Sequence, residues 1–221
     1  MNHVKIIYED NHLIGVVKPF NLLTQKDRTG DRDLMEEIKD YLKEKYHKPG
    51  NVFLGMVHRL DRPAGGVMVF ARTSKAAGRL SKQWREGTVR KLYLAWVEGT
   101  IENPEFRKET SYLRKNEKTN KVAVHRNPAK DARKSELLYR AIKKKGASTL
   151  VEIELLTGRP HQIRAQMAFL GHPVLGDIKY GASKPLKNQN IALFSHYLAF
   201  EHPVSKDEII LAAEPDPGWE R

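Results

Sequence analysis

The stretch S-T-L-V-E-I-E-L-L-T-G-R-P-H-Q-I-R, residues 148–164, contains the change of period that decides the fold reading. From Ser148 to Leu156 apolar and polar side chains alternate, the two-residue period of a strand with one buried face. Thr157-Gly158-Arg159-Pro160 then turns the chain. The residues beyond it predict a helix of about ten residues closing at Gly171, with Pro160 at the first helical position, where no N–H is needed.

Working outward, the chain keeps mixing strands with single helices. Val4–Tyr8 and His12–Val17 read as two strands around the turn Glu9-Asp10-Asn11, before Lys18-Pro19. A helix begins near Asp33, capped by Asp31 or Asp33, with Leu34, Ile38, Tyr41, Leu42 and Lys45 as its inward stripe and Pro49-Gly50 beyond its end. Gly66–Ala71 reads as a buried strand, Ser74 as the cap of a helix through about Arg85, and Gly87 as its stop. Arg90–Glu98 reads as a strand with Leu92, Leu94 and Trp96 on one face and Tyr93, Ala95 and Val97 on the other. The basic segment from Phe106 to Arg140 reads as one or two exposed hairpins. Strands and single helices without regular βαβ alternation predict an α+β fold on a largely antiparallel sheet.

The 221 residues are enough to bury about 70% of the unfolded surface without staples, and with no repeat or long linker they predict a single domain over 1–221. Cysteine is absent, which removes disulfides, thiolate nucleophiles and Cys-held metals. No apolar run approaches a membrane span and the start lacks a signal-peptide pattern, so a cytoplasmic protein with no membrane partner is expected, and a monomer is the default. The net charge of +12 is uneven. Between Arg107 and Lys145 stand fourteen Lys and Arg against four Asp and Glu, whereas Glu201–Arg221 is acidic. Such clustering is the electrostatic footprint of a nucleic-acid partner.

Phosphate-binding glycine loops, the dinucleotide fingerprint, the H-E-x-x-H metal motif and the G-x-S-x-G elbow are all missing, and the nine histidines are scattered. Chemistry here rests on carboxylates, arginines and aromatics, with no cofactor and no metal expected. Two segments combine those types. His58-Arg59-Leu60-Asp61-Arg62 places a carboxylate between arginines, ahead of a buried strand. Gly158-Arg159-Pro160-His161-Gln162-Ile163-Arg164 puts Arg164 about one turn into a helix, able to reach a carboxylate, with His161 on the same face three residues earlier.

H-R-L-D-R at 58–62, K-x-Y-x-A-x-V on Lys91, Tyr93, Ala95 and Val97, and G-R-x-H-Q-I-R at 158–164 together resemble the RluA family of RNA pseudouridine synthases. Tyr8-Glu9-Asp10, Lys18-Pro19, Gly176-Asp177 with Tyr180-Gly181, and Phe200-Glu201-His202-Pro203 fit the same order, so the resemblance spans roughly residues 4 to 204. It implies the pseudouridine synthase fold, α+β around a mixed, mostly antiparallel sheet with flanking helices and a central RNA-binding cleft. Two departures stand out. Ala64-Gly65-Gly66 replaces the family's usual Thr-Ser-Gly, and the usual histidine near Phe194-Ser195-His196 is displaced. The chain begins almost directly with the core, so no N-terminal RNA-binding domain of the S4 type is expected.

The resemblance implies isomerisation of uridine to pseudouridine in ribosomal or transfer RNA, with no cofactor. Asp61 matches the catalytic aspartate, acting as nucleophile at C1′ or as base at C2′. Arg164 matches its arginine partner, and Tyr93 the tyrosine that stacks on the target base. Arg59, beside the loop, is a candidate to fill the gap left by a flipped base, and Arg62 a further substrate contact. Ile163 would wall the base pocket, and His161 and Gln162 would orient Arg164 or the RNA backbone. The basic Arg107–Lys145 region would hold phosphates. The rival reading is a non-catalytic RNA-binding or ribosome-assembly protein on the same fold. A hydrolase ranks below it, because the second carboxylate a glycosidase uses is not visible near either motif.

Overall fold

The computed structural model describes residues 4–220. In chain order they form strands β1 (Lys5–Glu9) and β2 (Leu13–Lys18), helix α1 (Leu34–Lys45), β3 (Gly55–Met56), β4 (Gly65–Ala71) and helix α2 (Ser74–Glu86). Strands β5 (Arg90–Glu98), β6 (Arg107–Asn116), β7 (Lys121–His125), β8 (Arg133–Lys145) and β9 (Ser148–Leu155) lead to helix α3 (Gln162–Phe169). Strands β10 (Leu193–Glu201) and β11 (Glu208–Ala212) follow. Three helices on a mixed sheet give the expected α+β class. The chain divides into two compact units, one with residues up to Val89 plus Ser195–Pro215, the other with Arg90–Phe194 and the residues from Asp216 on. Among the described residues no helix is long and apolar enough to cross a membrane.

In the first unit β2 lies antiparallel between β1 and β4, with Leu13 opposite Ala71 and Lys18 opposite Gly66. β11 runs antiparallel along β10. The core gathers the fully buried Leu13, Val67 and Val69 with Leu80 of α2, Leu198, Phe200 and Leu211. Of the α1 stripe Leu34, Ile38 and Leu42 are buried and Tyr41 is half-buried, whereas Lys45 is exposed and its ammonium reaches Glu9. Of the two candidate caps it is Asp33 whose carboxylate accepts from Glu36 N–H at 2.9 Å. At α2 the cap is Thr73, not Ser74. Thr73 has extended backbone and its hydroxyl accepts from Ala76 N–H, so Ser74 is already the first helical residue. Gly87 closes α2 in the left-handed conformation that glycine adopts without strain.

The second unit is an antiparallel sheet in the order β5-β9-β8-β6-β7. Tyr93 of β5 stands opposite Ile153 of β9. The basic segment forms three strands, β6 and β7 as a hairpin and β8 along the other edge of β6. Helix α3 is shorter than the sequence pattern suggests and starts later. His161 is its N-cap, with φ of 50°, so Pro160 lies outside the helix rather than at its first position. The cause is the turn before it. Gln162 closes that turn, its Oε1 accepting from Thr157 Oγ1 at 2.9 Å and Arg159 N–H at 3.0 Å while its amide donates to the Glu136 carbonyl at 3.1 Å.

Candidate active site

Asp61 sits, partly buried, in the loop entering β4, and that loop is fastened to its own unit at four points. His58 Nε2 accepts from Val69 N–H at 3.1 Å while its ring stacks on Trp84. Thr24 Oγ1 donates to the Leu60 carbonyl at 2.9 Å, and Ala64 N–H donates to the Asp61 carbonyl at 3.1 Å. Lys18 provides the fourth point. It ends an apolar strand, has no solvent exposure, and its ammonium donates to the carbonyls of Pro19 (2.9 Å), Leu22 (2.7 Å) and Arg62 (3.2 Å). Burial pulls this ammonium down to about 7; the negative charge of Asp61 opposes the fall and Arg62 adds to it. The carboxylate of Asp61 is thus held on a loop whose backbone has little freedom, with a buried cation among its electrostatic neighbours.

The Ala64-Gly65-Gly66 turn is sterically tight at both glycines. Gly66 has φ of 122°, and a Cβ there would lie 2.3 Å from the Ser195 carbonyl oxygen. Gly65 packs against the Phe20 ring, where a Cβ would approach to 3.1 Å. Arg62, read from sequence as a substrate contact, has its guanidinium engaged by Asn21 Oδ1 at 3.2 Å and by Asp31 at 2.7 Å, both within the unit. Arg59 is exposed.

The other sequence candidates belong to the second unit. Tyr93 is buried on β5, on the same strand face as Lys91, whose ammonium burial pulls below the ordinary lysine value. Ile163 and Gln162 are both buried at the start of α3. Arg164 is only 6% exposed and forms a two-point ion pair with Asp177, Nε to Oδ2 at 2.6 Å and Nη2 to Oδ1 at 2.8 Å. Its guanidinium also lies over the Tyr180 ring, 5.1 Å from the centroid. His161 does not share a helical face with Arg164, because its left-handed backbone precedes the helix; instead its Nδ1 meets the Tyr180 hydroxyl at 2.8 Å. That hydroxyl accepts from Val122 N–H of β7 at 2.9 Å.

Sequence reasoning assigned no role to Lys18, Thr24, Asp177 or Tyr180. Lys18 and the Gly-Asp…Tyr-Gly run stood out as motif matches, but nothing local marks which partner each holds. A lysine closing an apolar strand before a proline is the one signal of burial that the sequence carried.

The basic sheet is partly neutralised near its root. Glu136 is hydrogen-bonded by Lys108 (2.7 Å) and Lys134 (3.1 Å), which push its carboxyl down to about 2. Arg140 holds Glu152 at 2.8 Å. Toward the hairpin tip, Arg114, Lys118 and Lys121 have no carboxylate within ion-pair distance among the described residues. A surface hollow of about 410 Å³ there is lined by Arg114, Lys115, Asn116, Thr119 and Lys121.

Comparison with known proteins accounts for both motif segments. Residues 12–169 match the family model described as RNA pseudouridylate synthase. The chain is similar to the tRNA pseudouridine synthase C of Vibrio vulnificus, 30% identical over 99% of this chain and 93% of the relative. It is also similar to the ribosomal large subunit pseudouridine synthase C of Buchnera aphidicola, 31% identical over 96% of this chain and 67% of the relative. Among solved structures, human RNA Pseudouridylate Synthase Domain Containing 4 shares the fold with a TM-score of 0.79 at 21% identity, over 97% of this chain and 90% of that one. The matched segment takes in Asp61, Tyr93 and Arg164, and with the family model matching most of its length the chain belongs to the RNA pseudouridylate synthase family, whose members are isomerases.

Proposed function

We propose that this isomerase converts uridine to pseudouridine in transfer or ribosomal RNA, with Asp61 as its catalytic carboxylate. The observation that carries this reading is the fastening of the Asp61 loop by Lys18, Thr24, His58 and Ala64, which fixes the backbone that bears the one carboxylate of that segment. The reaction breaks the N1–C1′ bond, turns the uracil while it is held, joins C5 to C1′, and loses the C5 proton as N1 gains one. Nothing is oxidised and no atom is imported. A single ionised carboxylate suffices for the first step, by attack at C1′ or by taking the C2′ proton.

Arg164, which matches the arginine partner of the catalytic aspartate in the family the chain resembles, is assigned as the cation that serves Asp61. Asp177 takes Nε and one Nη2 hydrogen, and the guanidinium carries further N–H groups beyond that pair. Tyr93 offers a buried aromatic face for the flipped uracil, and Ile163 an apolar wall. The cations at the hairpin tip hold the phosphate backbone and leave sequence reading to other parts of the enzyme. Names of the relatives support both RNA classes.

Pseudouridine has the mass of uridine, so the test is chemical labelling and sequencing. Transfer and ribosomal RNA from cells lacking the gene are compared with the same RNA after incubation with the purified protein. Restoration of one or a few specific pseudouridines supports the reading. A protein that binds both RNA classes and modifies neither leaves the non-catalytic reading in its place.

A further inference from the structure

We infer that Asp177 and Tyr180 are positioning residues for Arg164, fixing the plane and direction of its guanidinium; the inference rests on Arg164 serving Asp61 as proposed above. Arg164 is placed where a cation is ordinarily disfavoured. It is buried, and it lies in the first turn of α3, where the backbone dipole is positive. Such a side chain persists only if its charge and its N–H groups are met.

Asp177 meets them with both oxygens at once, in parallel hydrogen bonds of 2.6 and 2.8 Å. A bidentate fork fixes the guanidinium plane, which a single contact does not. Asp177 is itself immobile, being 1% exposed on a turn closed by backbone bonds from Asp177 N–H to Val174 and from Tyr180 and Ala182 N–H to the Asp177 carbonyl. Gly176 before it has φ of 84°, and a Cβ there would lie 2.6 Å from the Asn190 carbonyl, so the turn is built around a glycine.

Tyr180 supplies the second constraint. Its ring lies beneath the guanidinium, and its hydroxyl is pinned between Val122 N–H and His161 Nδ1. The same ring lies 5.8 Å from Lys121 Nζ, so backbone and side chain of β7 both reach the residue that braces Arg164. With both its oxygens on Arg164, Asp177 is placed to orient that side chain, not to act on RNA itself.

The test is steady-state turnover of an RNA substrate by Asp177→Asn, Tyr180→Leu and Arg164→Lys, singly and with Asp177→Asn combined with Arg164→Lys, each normalised to folded protein by circular dichroism. Asp177→Asn is expected to lower kcat by about 30-fold or more with KM within about threefold, since a small misplacement of a charge costs on that order. The double variant should be no slower than Arg164→Lys alone within about threefold, because the second change then has nothing left to position. Wild-type kcat in folded Asp177→Asn, or losses that multiply in the double variant, overturns the inference. Should Asp177→Asn not fold, Tyr180→Leu decides: a kcat loss of about tenfold at unchanged KM supports it, and full turnover overturns it. Failure of the underlying reading looks different, because Asp61→Asn would then still turn over.

Discussion

Lys18 donates its ammonium to the Arg62 carbonyl at 3.2 Å from a position with no solvent exposure, so the residue after Asp61 is tied to a cation buried at the end of β2. Register explains the placement: Lys18 pairs with Gly66, at the mouth of the β2–β4 ladder where the Asp61 loop enters. Three carbonyls satisfy the ammonium, yet burial still draws it from 10.5 to about 7.

A pH dependence of stability follows. Because the folded value lies below the unfolded one, the unfolded chain binds the extra proton between about pH 7 and 10. The Lys18 contribution to stability therefore rises with pH across that window and is flat below it. The difference in urea midpoint between wild type and Lys18→Met should widen in favour of wild type from about pH 7 to about pH 10, the two ends of the window. A difference independent of pH would show that Lys18 titrates as an ordinary lysine.

Gly66→Ala should destabilise the first unit by more than about 2 kcal/mol, through positive-φ strain and collision with the Ser195 backbone together. Gly78→Ala, in the middle of α2 with open space around its Cβ position, serves as the control and should be neutral or stabilising. Equal thermal midpoints for the two variants would remove the steric account of the Gly-Gly turn.

The contrast between what the sequence disclosed and what it withheld is physical. Caps, stripes and alternation are local, so the start of α1 was readable to within Asp31 or Asp33, and the α2 stop at Gly87 and β5 from Arg90 to Glu98 residue by residue. Strands β10 and β11 went unread because their identity comes from pairing partners distant in sequence, not from a clean period. The start of α3 was misread because Gln162 commits its amide to the turn and so delays the helix past Pro160. At the site, the motif residues stood out by type, while their supports did not. The bond from Arg164 to Asp177 crosses from a helix to a turn, and no spacing rule announces it.

Replacing Arg114, Lys118 and Lys121 by Gln should weaken RNA affinity and lower the slope of log K against log salt by about 0.7–0.9 for each phosphate that is no longer neutralised. These three lack acidic partners among the described residues, whereas Lys108 and Lys134 are committed to Glu136. Neutralising Lys108 should therefore change the slope less than neutralising Arg114. Equal effects, or no change in slope for the triple variant, would make the hairpin a solvated surface that does not touch the RNA backbone.

Asp61→Asn separates chemistry from binding, which matters because a chain of charge +12 holds RNA whatever it does next. The substitution keeps size and most hydrogen bonding and removes the negative charge. Pseudouridine formation should become undetectable, since no second carboxylate is proposed to replace the first at C1′ or C2′. RNA affinity should hold or rise slightly, because an anion facing the phosphate backbone is gone and the hairpin cations are untouched. The Lys18 ammonium should also lose support for its charge, because the Asp61 carboxylate opposes its fall toward 7. A variant that binds RNA with wild-type affinity and makes no pseudouridine places Asp61 in the chemical step. One that modifies RNA at the wild-type rate sinks the mechanism, and with it the proposed role of Arg164.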